Sequence, residues 1–177
     1  MSRRGTLIHL LKQHLSDDER EEADRCAMLR LAHELGDPLS RDEPTAHFTA
    51  SAFVVDEGCE RTCLVQHVKL ERLLQPGGHV EPSDISLEAA ALREAHEETT
   101  LEVRLHPEAP RPFDLDIHEI PERPGEPAHF HLDVRYLVVG SGDPCDGAAW
   151  YAIGEAGDGS VRRLSAKAIN FGSRPAE

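Results

Sequence analysis

The sequence is short of positive charge. It sets 19 Lys and Arg against 33 Asp and Glu, a formal net charge of −14, and its basic residues form no run. A protein that binds nucleic acid or anionic membrane through electrostatics needs a concentrated basic surface, so neither partner is expected. Long apolar runs are also missing, and none approaches the roughly 20 residues that span a bilayer. The opening stretch MSRRGTLIHLLKQH has basic residues, but its apolar segment is short and interrupted by His9 and Lys12. It makes a poor secretory signal. The four cysteines, at 26, 59, 63 and 145, show no repeated CxxC spacing. They provide neither a zinc nor a disulfide framework and fit reduced thiols in a cytoplasmic protein. No internal repeat is visible. What is present is a chain of 177 residues with 39% hydrophobic content, enough for one compact core with a small appendage.

The appendage is expected over residues 1–45, as a helical extension. Leu7, Leu10, Leu11 and Leu15 form a short apolar stripe, and Ser16 with Glu19 reads as a capping box opening a second helix. Ala27, Met28, Leu31 and Leu35 continue at helical spacing until Gly36, Asp37 and Pro38 stop it. Such a stripe packs either on the main domain or on a second copy of the chain, so a homodimer contact and a cap over the site both remain open. From residue 46 to the end a second pattern takes over. HFTASAFVV, TCLVQHV, LEVRLH, FDLDIHEI, HFHLDVRYLVVG and AAWYAI read as strands, and VRRLSAKAI as a closing helix. In HFHLDVRY, Phe130, Leu132, Val134 and Tyr136 fall on one face, and His129, His131, Asp133 and Arg135 on the other. LLQPGGHVEPSD reads as a loop, followed by the helix SLEAAALREAHEET with Ser86 as N-cap. Interleaved strands and helices predict an α/β fold with a mixed sheet covered by helices.

That last helix poses a problem. Leu87, Ala90, Ala91 and Glu94 follow i, i+3, i+4, i+7 spacing, and Glu97 and Glu98 extend the stripe. The stripe therefore begins apolar and ends acidic. Like charges at i, i+4 repel, and they lie toward the helix C-terminus, where the dipole disfavours anions. A solvated acidic face is the bland account. A divalent cation held by Glu94, Glu97 and Glu98 would offset both penalties, and an all-oxygen donor set selects Mg²⁺ or Mn²⁺. The preceding Gly77–Gly78 pair permits close backbone approach to an anionic ligand. Loop and helix together suit a phosphate group held through metal.

These residues carry a resemblance. GGHVEPSDISLEAAALREAHEETTL resembles the box of Nudix hydrolases, G-x5-E-x7-R-E-U-x-E-E-x-G-U, where U is a bulky aliphatic residue. Gly78, Arg93, Glu94, Glu97, Glu98 and Leu101 fit. Asp84 stands where the pattern has Glu, and the run from Asp84 to Arg93 is one residue longer. Ala95 is small for its position, and Thr100 replaces the helix-ending glycine. The resemblance implies a Nudix-like α/β/α sandwich over residues 46–177. It also implies Mg²⁺- or Mn²⁺-dependent hydrolysis of an acid anhydride, in a small-molecule nucleoside diphosphate linked to another moiety. On that reading Glu94, Glu97 and Glu98 hold the metal, and Arg93 orients the carboxylates. Asp84, Glu81 or Glu88 steadies Arg93. Gly77, Gly78, His79 and His131 contact substrate. Glu97 or an acid before the HFHLDVRY strand takes the proton from water, with Glu126 ranked ahead of Glu119 and Glu122. The alternative is a non-catalytic Nudix-like domain that binds a nucleotide as sensor or scaffold. His96, away from the acidic stripe, is expected to be merely packed or exposed.

Overall fold

The run Ala46–Val55 is β-prone throughout, and as β1 it is buried at every position, as a central strand covered on both faces must be. In the computed structural model, which describes residues 2–67, 71–125 and 127–172, β1 runs parallel to β7 (His129–Ser141), with His47 opposite His131 and Val55 opposite Val139. The other pairings are antiparallel. β1 also pairs with β2 (Arg61–His67) and β4 (Gly77–His79). β2 pairs with β3 (Arg72–Leu74) and β8 (Ala148–Ala152), and β7 with β5 (Glu102–Leu105) and β6 (Asp114–Ile120). The sheet is therefore mixed, as expected.

Period-two alternation sends the two halves of each central strand to different layers. Phe48, Ala50, Ala52 and Val54, with Leu132, Val134, Tyr136 and Val138, join a core that includes residues of three helices. These are α1 (Arg3–Gln13), α2 (Glu19–Glu34) and α3 (Leu87–Thr99). Phe53, Val55 and Leu137 pack instead with Val161, Leu164 and Ala168 of α4 (Gly159–Gly172). The result is an α/β/α sandwich. Leu7, Leu11, Met28 and Ala32 place the N-terminal helices in the same core as the sheet. Among the described residues no helix is long and apolar enough to cross a membrane.

Three local details differ from expectation. Residues 72–79 form two short strands within the predicted loop, because β1 and β2 offer unpaired edges there. Leu15 lies beyond α1 and is 87% exposed. Asp18, not Ser16, caps α2: its carboxylate accepts from Glu21 N–H at 2.8 Å, while Ser16 Oγ donates to Glu22.

That cap starts the helix where Glu21 can turn inward. Glu21 is buried and accepts four hydrogen bonds, from Leu115 N–H at 3.1 Å, Asp17 N–H at 2.9 Å, Lys167 Nζ at 2.7 Å and the His14 ring at 2.7 Å. One carboxylate thus ties α2 to the α1–α2 connection, to β6 and to α4. Burial works to raise its pKa, but the bonds from His14, the Asp17 backbone and Lys167 outweigh it and bring the group down to about 2. A folded-state pKa below the unfolded value of 4.5 stabilises the native state above that value, and the stability is lost as pH falls toward 2. Acid titration of wild type is expected to show this loss, with Glu21→Gln less stable at neutral pH by roughly 3 kcal/mol and flatter between pH 5 and pH 2 (on the order of those limits). A mutant as acid-sensitive as wild type would remove Glu21 from this role.

Candidate active site

α3 starts as predicted, with Ser86 Oγ accepting from Ala89 N–H at 3.1 Å. Leu87, Ala90, Ala91 and Ala95 are buried against the sheet. The alanines lack bulk, which lets the helix pack closely on the sheet, and Ala95 is fully buried there. Beyond this apolar part the charged residues emerge at the edge of the packing. Glu94 is 16% exposed and Glu97 is 56% exposed.

Arg93 organises the group. Its Nε and Nη2 donate to the two oxygens of Asp84 at 3.0 and 2.9 Å, a bidentate pair. Nη1 donates to Glu94 at 2.8 Å and Glu97 at 3.1 Å, and Nη2 also reaches the His79 carbonyl at 3.1 Å. Of the three acids that the sequence left open as its partner, Asp84 fills the place. With one more residue in the run before Arg93, the shorter carboxylate of Asp84 still reaches the guanidinium. Glu98 turns the other way and accepts from Gly77 N–H at 3.0 Å. Three carboxylates share one guanidinium, and the fourth lies on the glycine backbone beside them. The hydrogen bonds of Arg93 hold Asp84 below the usual carboxylate range, whereas burial raises Glu94 and Glu98. Anions pushed up by desolvation are stabilised by a cation brought to them.

β4 forms the floor beside these acids. A Cβ on Gly78 would stand 2.6 Å from Glu94 Oε1, so the missing side chain is what makes room for that carboxylate. A Cβ on Gly77 would stand 2.3 Å from Ser51 Cβ and 2.7 Å from Ser51 Cα, against backbone that cannot give way. The two alanine substitutions are therefore expected to differ. Gly77→Ala disrupts the β1–β4 pairing and lowers stability by about 1–3 kcal/mol. Gly78→Ala displaces the flexible Glu94 end, with a smaller stability loss and weaker Mn²⁺ binding. Urea denaturation and Mn²⁺ titration check both, and equal stability losses would contradict the distinction.

The helix ends at Thr100, which adopts φ 60°, the left-handed conformation that the usual glycine supplies freely. Its N–H still caps His96 O at 2.7 Å. His96 is exposed, as expected, and its Nδ1 also lies 2.9 Å from Leu101 O, bridging the same turn. A β-branched residue in this region is strained. Thr100→Gly is expected to stabilise the protein by about 1 kcal/mol in urea denaturation. A net loss would mean that the Thr100 Oγ1 bond to Thr99 O outweighs the strain.

Across the sheet lies a polar face that the sequence revealed only in part. His79 and His131 converge there with His47, their rings 4.9–5.2 Å apart. His129 stacks on His47 at 5.0 Å, and His118 meets His131 edge-on at 5.5 Å. Burial, with the neighbouring imidazoles, lowers His131 to about 2, so its ring is neutral at physiological pH. Below the histidines sits Arg135, fully buried, which donates to Asp133 at 2.8 Å, Asp114 at 3.2 Å and Asp116 at 2.7 Å. Asp133 in turn accepts from Thr49 and Ser51. His47 and His118 were not singled out from sequence; strand alternation would have placed them on this face only with the β1–β7 and β6–β7 registers known. Of the acids considered as general base, Glu119 and Glu122 are exposed, and Glu126 lies outside the described residues.

An all-oxygen set of Glu94, Glu97 and Glu98 around a glycine-made space fits Mg²⁺ or Mn²⁺. The three carboxylates are not drawn into one tight cluster here, being held by Arg93 and Gly77 N–H.

A mixed sheet between helices, with an Arg–Glu helix against a glycine loop, defines a class that comparison with known proteins identifies. Residues 45–166 match the NUDIX domain, and the chain belongs to the Nudix family. It is 34% identical over 97 residues to a probable DHNTP pyrophosphohydrolase of Lactococcus lactis subsp. cremoris (strain MG1363), covering 54% of this chain and 55% of that protein. The chain thus spans about half the length of the curated relative it matches. A hydrolase of the Nudix family from Clostridium perfringens superposes with a TM-score of 0.52 at 25% identity, over 71% of this chain and 97% of that one. A NUDIX hydrolase from Nitrosomonas europaea gives 0.49 at 20% identity, over 72% and 90%.

Proposed function

We propose that the protein is a Mg²⁺- or Mn²⁺-dependent pyrophosphohydrolase that cleaves the diphosphate linkage of a nucleoside diphosphate joined to another moiety. The observation that carries this reading is the set Asp84, Glu94 and Glu97 arranged about Arg93, with Glu98 beside them on the Gly77 N–H. The relative's designation as a pyrophosphohydrolase supports the reaction class. Glu94, Glu97 and Glu98 hold the metal. When bound, it neutralises phosphate oxygens and lowers the pKa of water. Arg93, fixed by Asp84, sets the directions of Glu94 and Glu97. Gly77 and Gly78 bring backbone close to the substrate phosphates, with His79 of β4 and His131 of β7 as further substrate contacts. The proton of the attacking water goes to Glu97, which is exposed, or to Glu126. The divalent ion also reconciles an anionic substrate with a chain of net charge −14. The N-terminal residues 1–45 act as an extension of a catalytic domain over 46–177.

The test is product release from a panel of nucleoside diphosphate derivatives, with and without Mg²⁺ or Mn²⁺. Metal-dependent turnover of at least one compound is the expected result. Binding of a compound without any turnover would favour a nucleotide sensor.

A further inference from the structure

Among the described residues, His47, His79 and His131 each offer a ligand atom, and these atoms all lie within 4.8 Å of one another. They come from β1, β4 and β7, so the convergence is a product of the sheet and not of one local motif. We infer that these three imidazoles form a second metal site, one for a borderline divalent ion such as Zn²⁺, separate from the carboxylate site on α3.

Three arguments carry this. The first is donor chemistry. Imidazole nitrogens suit Zn²⁺, Fe²⁺, Co²⁺ or Ni²⁺, whereas carboxylate oxygens suit Mg²⁺ and Mn²⁺. The two sites therefore sort different ions. The second is cost. Five imidazoles linked ring to ring on a partly buried sheet face repel one another if charged. If neutral, they fill the space less well than apolar side chains do, unless a shared cation uses their lone pairs. The third is orientation. Of the three ligands, His47 has its Nδ1 3.4 Å from Glu43 O. A backbone carbonyl at Nδ1 is a partner of the kind that fixes the ring of a ligating histidine.

The fit needs only a small adjustment. At a Zn–N distance of about 2.0–2.1 Å, ligand nitrogens of a tetrahedral site stand about 3.3–3.4 Å apart, so rings whose ligand atoms lie within 4.8 Å of one another close by up to about 1.5 Å. Three protein ligands leave one position open. His79 and His131 are only half-buried, so that position faces accessible space. It is available to water or to an oxygen of an anionic ligand. His79 also links the two sites: its carbonyl accepts from Arg93 of the acidic helix, while its ring joins the imidazoles.

The test uses the full chain, stripped with chelator and dialysed against Zn²⁺ in excess Mg²⁺, with bound zinc counted by mass spectrometry. Wild type and Glu97→Gln are expected to retain one equivalent. His131→Gln and His47→Gln are expected to bind it about 100-fold more weakly or worse, with circular dichroism checking their fold. X-ray absorption at the zinc edge of wild type needs no variant and is expected to show imidazole nitrogen in the first coordination sphere. No zinc retained by wild type, zinc lost with Glu97→Gln but kept by both histidine variants, or a spectrum of oxygen or thiolate ligands alone would overturn the inference. Turnover with Mg²⁺ is read separately, so failure here leaves the pyrophosphohydrolase proposal standing.

Discussion

Glu97→Gln is expected to lower kcat/KM on the order of 10²- to 10⁴-fold while leaving the fold intact. Glu97 is more than half exposed and makes a hydrogen bond to Arg93 at 3.1 Å, so its amide costs little stability. Its functional cost is large, because glutamine neither accepts the proton from water nor contributes charge to the metal. The ordinary i, i+4 pair with Arg93 is worth only a few tenths of a kcal/mol. Activity and stability should therefore separate cleanly. Steady-state kinetics at saturating Mg²⁺, beside urea denaturation, checks both. A change of less than tenfold (about 1.4 kcal/mol) would remove Glu97 from the chemistry and shift attention to Glu126.

The second large effect lies beneath the histidines and concerns stability. Arg135→Met is expected to destabilise the protein by about 3–5 kcal/mol, the cost of leaving buried carboxylates without their cation. Arg135 is 2% exposed, and three aspartates converge on it. Arg163 and Lys167 of α4 also reach Asp114, and Arg163 and Arg20 reach Asp116. These cations compensate part of the loss but do not reach Asp133, which fixes Thr49 and Ser51 of β1. Burial would raise Asp116; the His118 hydrogen bond and the charges of Arg135 and Arg20 outweigh it and hold the carboxyl low. Denaturant unfolding of Arg135→Met gives the number. A loss under about 1 kcal/mol would place it with exposed ion pairs and mean that the aspartates find other partners or protonate.

What the sequence made legible was local. The acidic end of LREAHEE, the adjacent glycines and the alternation in HFHLDVRY are periodicities or short motifs, readable without knowing what lies across the sheet. Alternation separated Asp133 and Arg135 from Leu132 and Val134, but it did not show that the polar side is buried as well. That follows from β6 and α4, which supply Asp114, Asp116, Arg163 and Lys167 from distant parts of the chain. The role of Asp84 was open for a related reason. Spacing alone left three acids in reach of Arg93, and only the folded loop, in which Asp84 makes the bidentate pair, selects one. His47 went unnoticed because a histidine at the start of a strand carries no signal until its parallel neighbour, His131, is in register. The N-cap of α2 was misplaced by two residues, since Ser16 and Asp18 both suit a cap and the choice rests on where Glu21 must point.

The measurement that goes most directly to the central claim is Mn²⁺ binding to wild type and Glu97→Gln, followed by loss of the free-ion paramagnetic resonance signal, with turnover read on the same samples. The account predicts that Mn²⁺ binds wild type, that turnover follows its occupancy, and that the mutant binds at least about tenfold more weakly. Equal Mn²⁺ binding by the two proteins, with turnover unchanged, would show that the acidic stripe of α3 is a solvated surface.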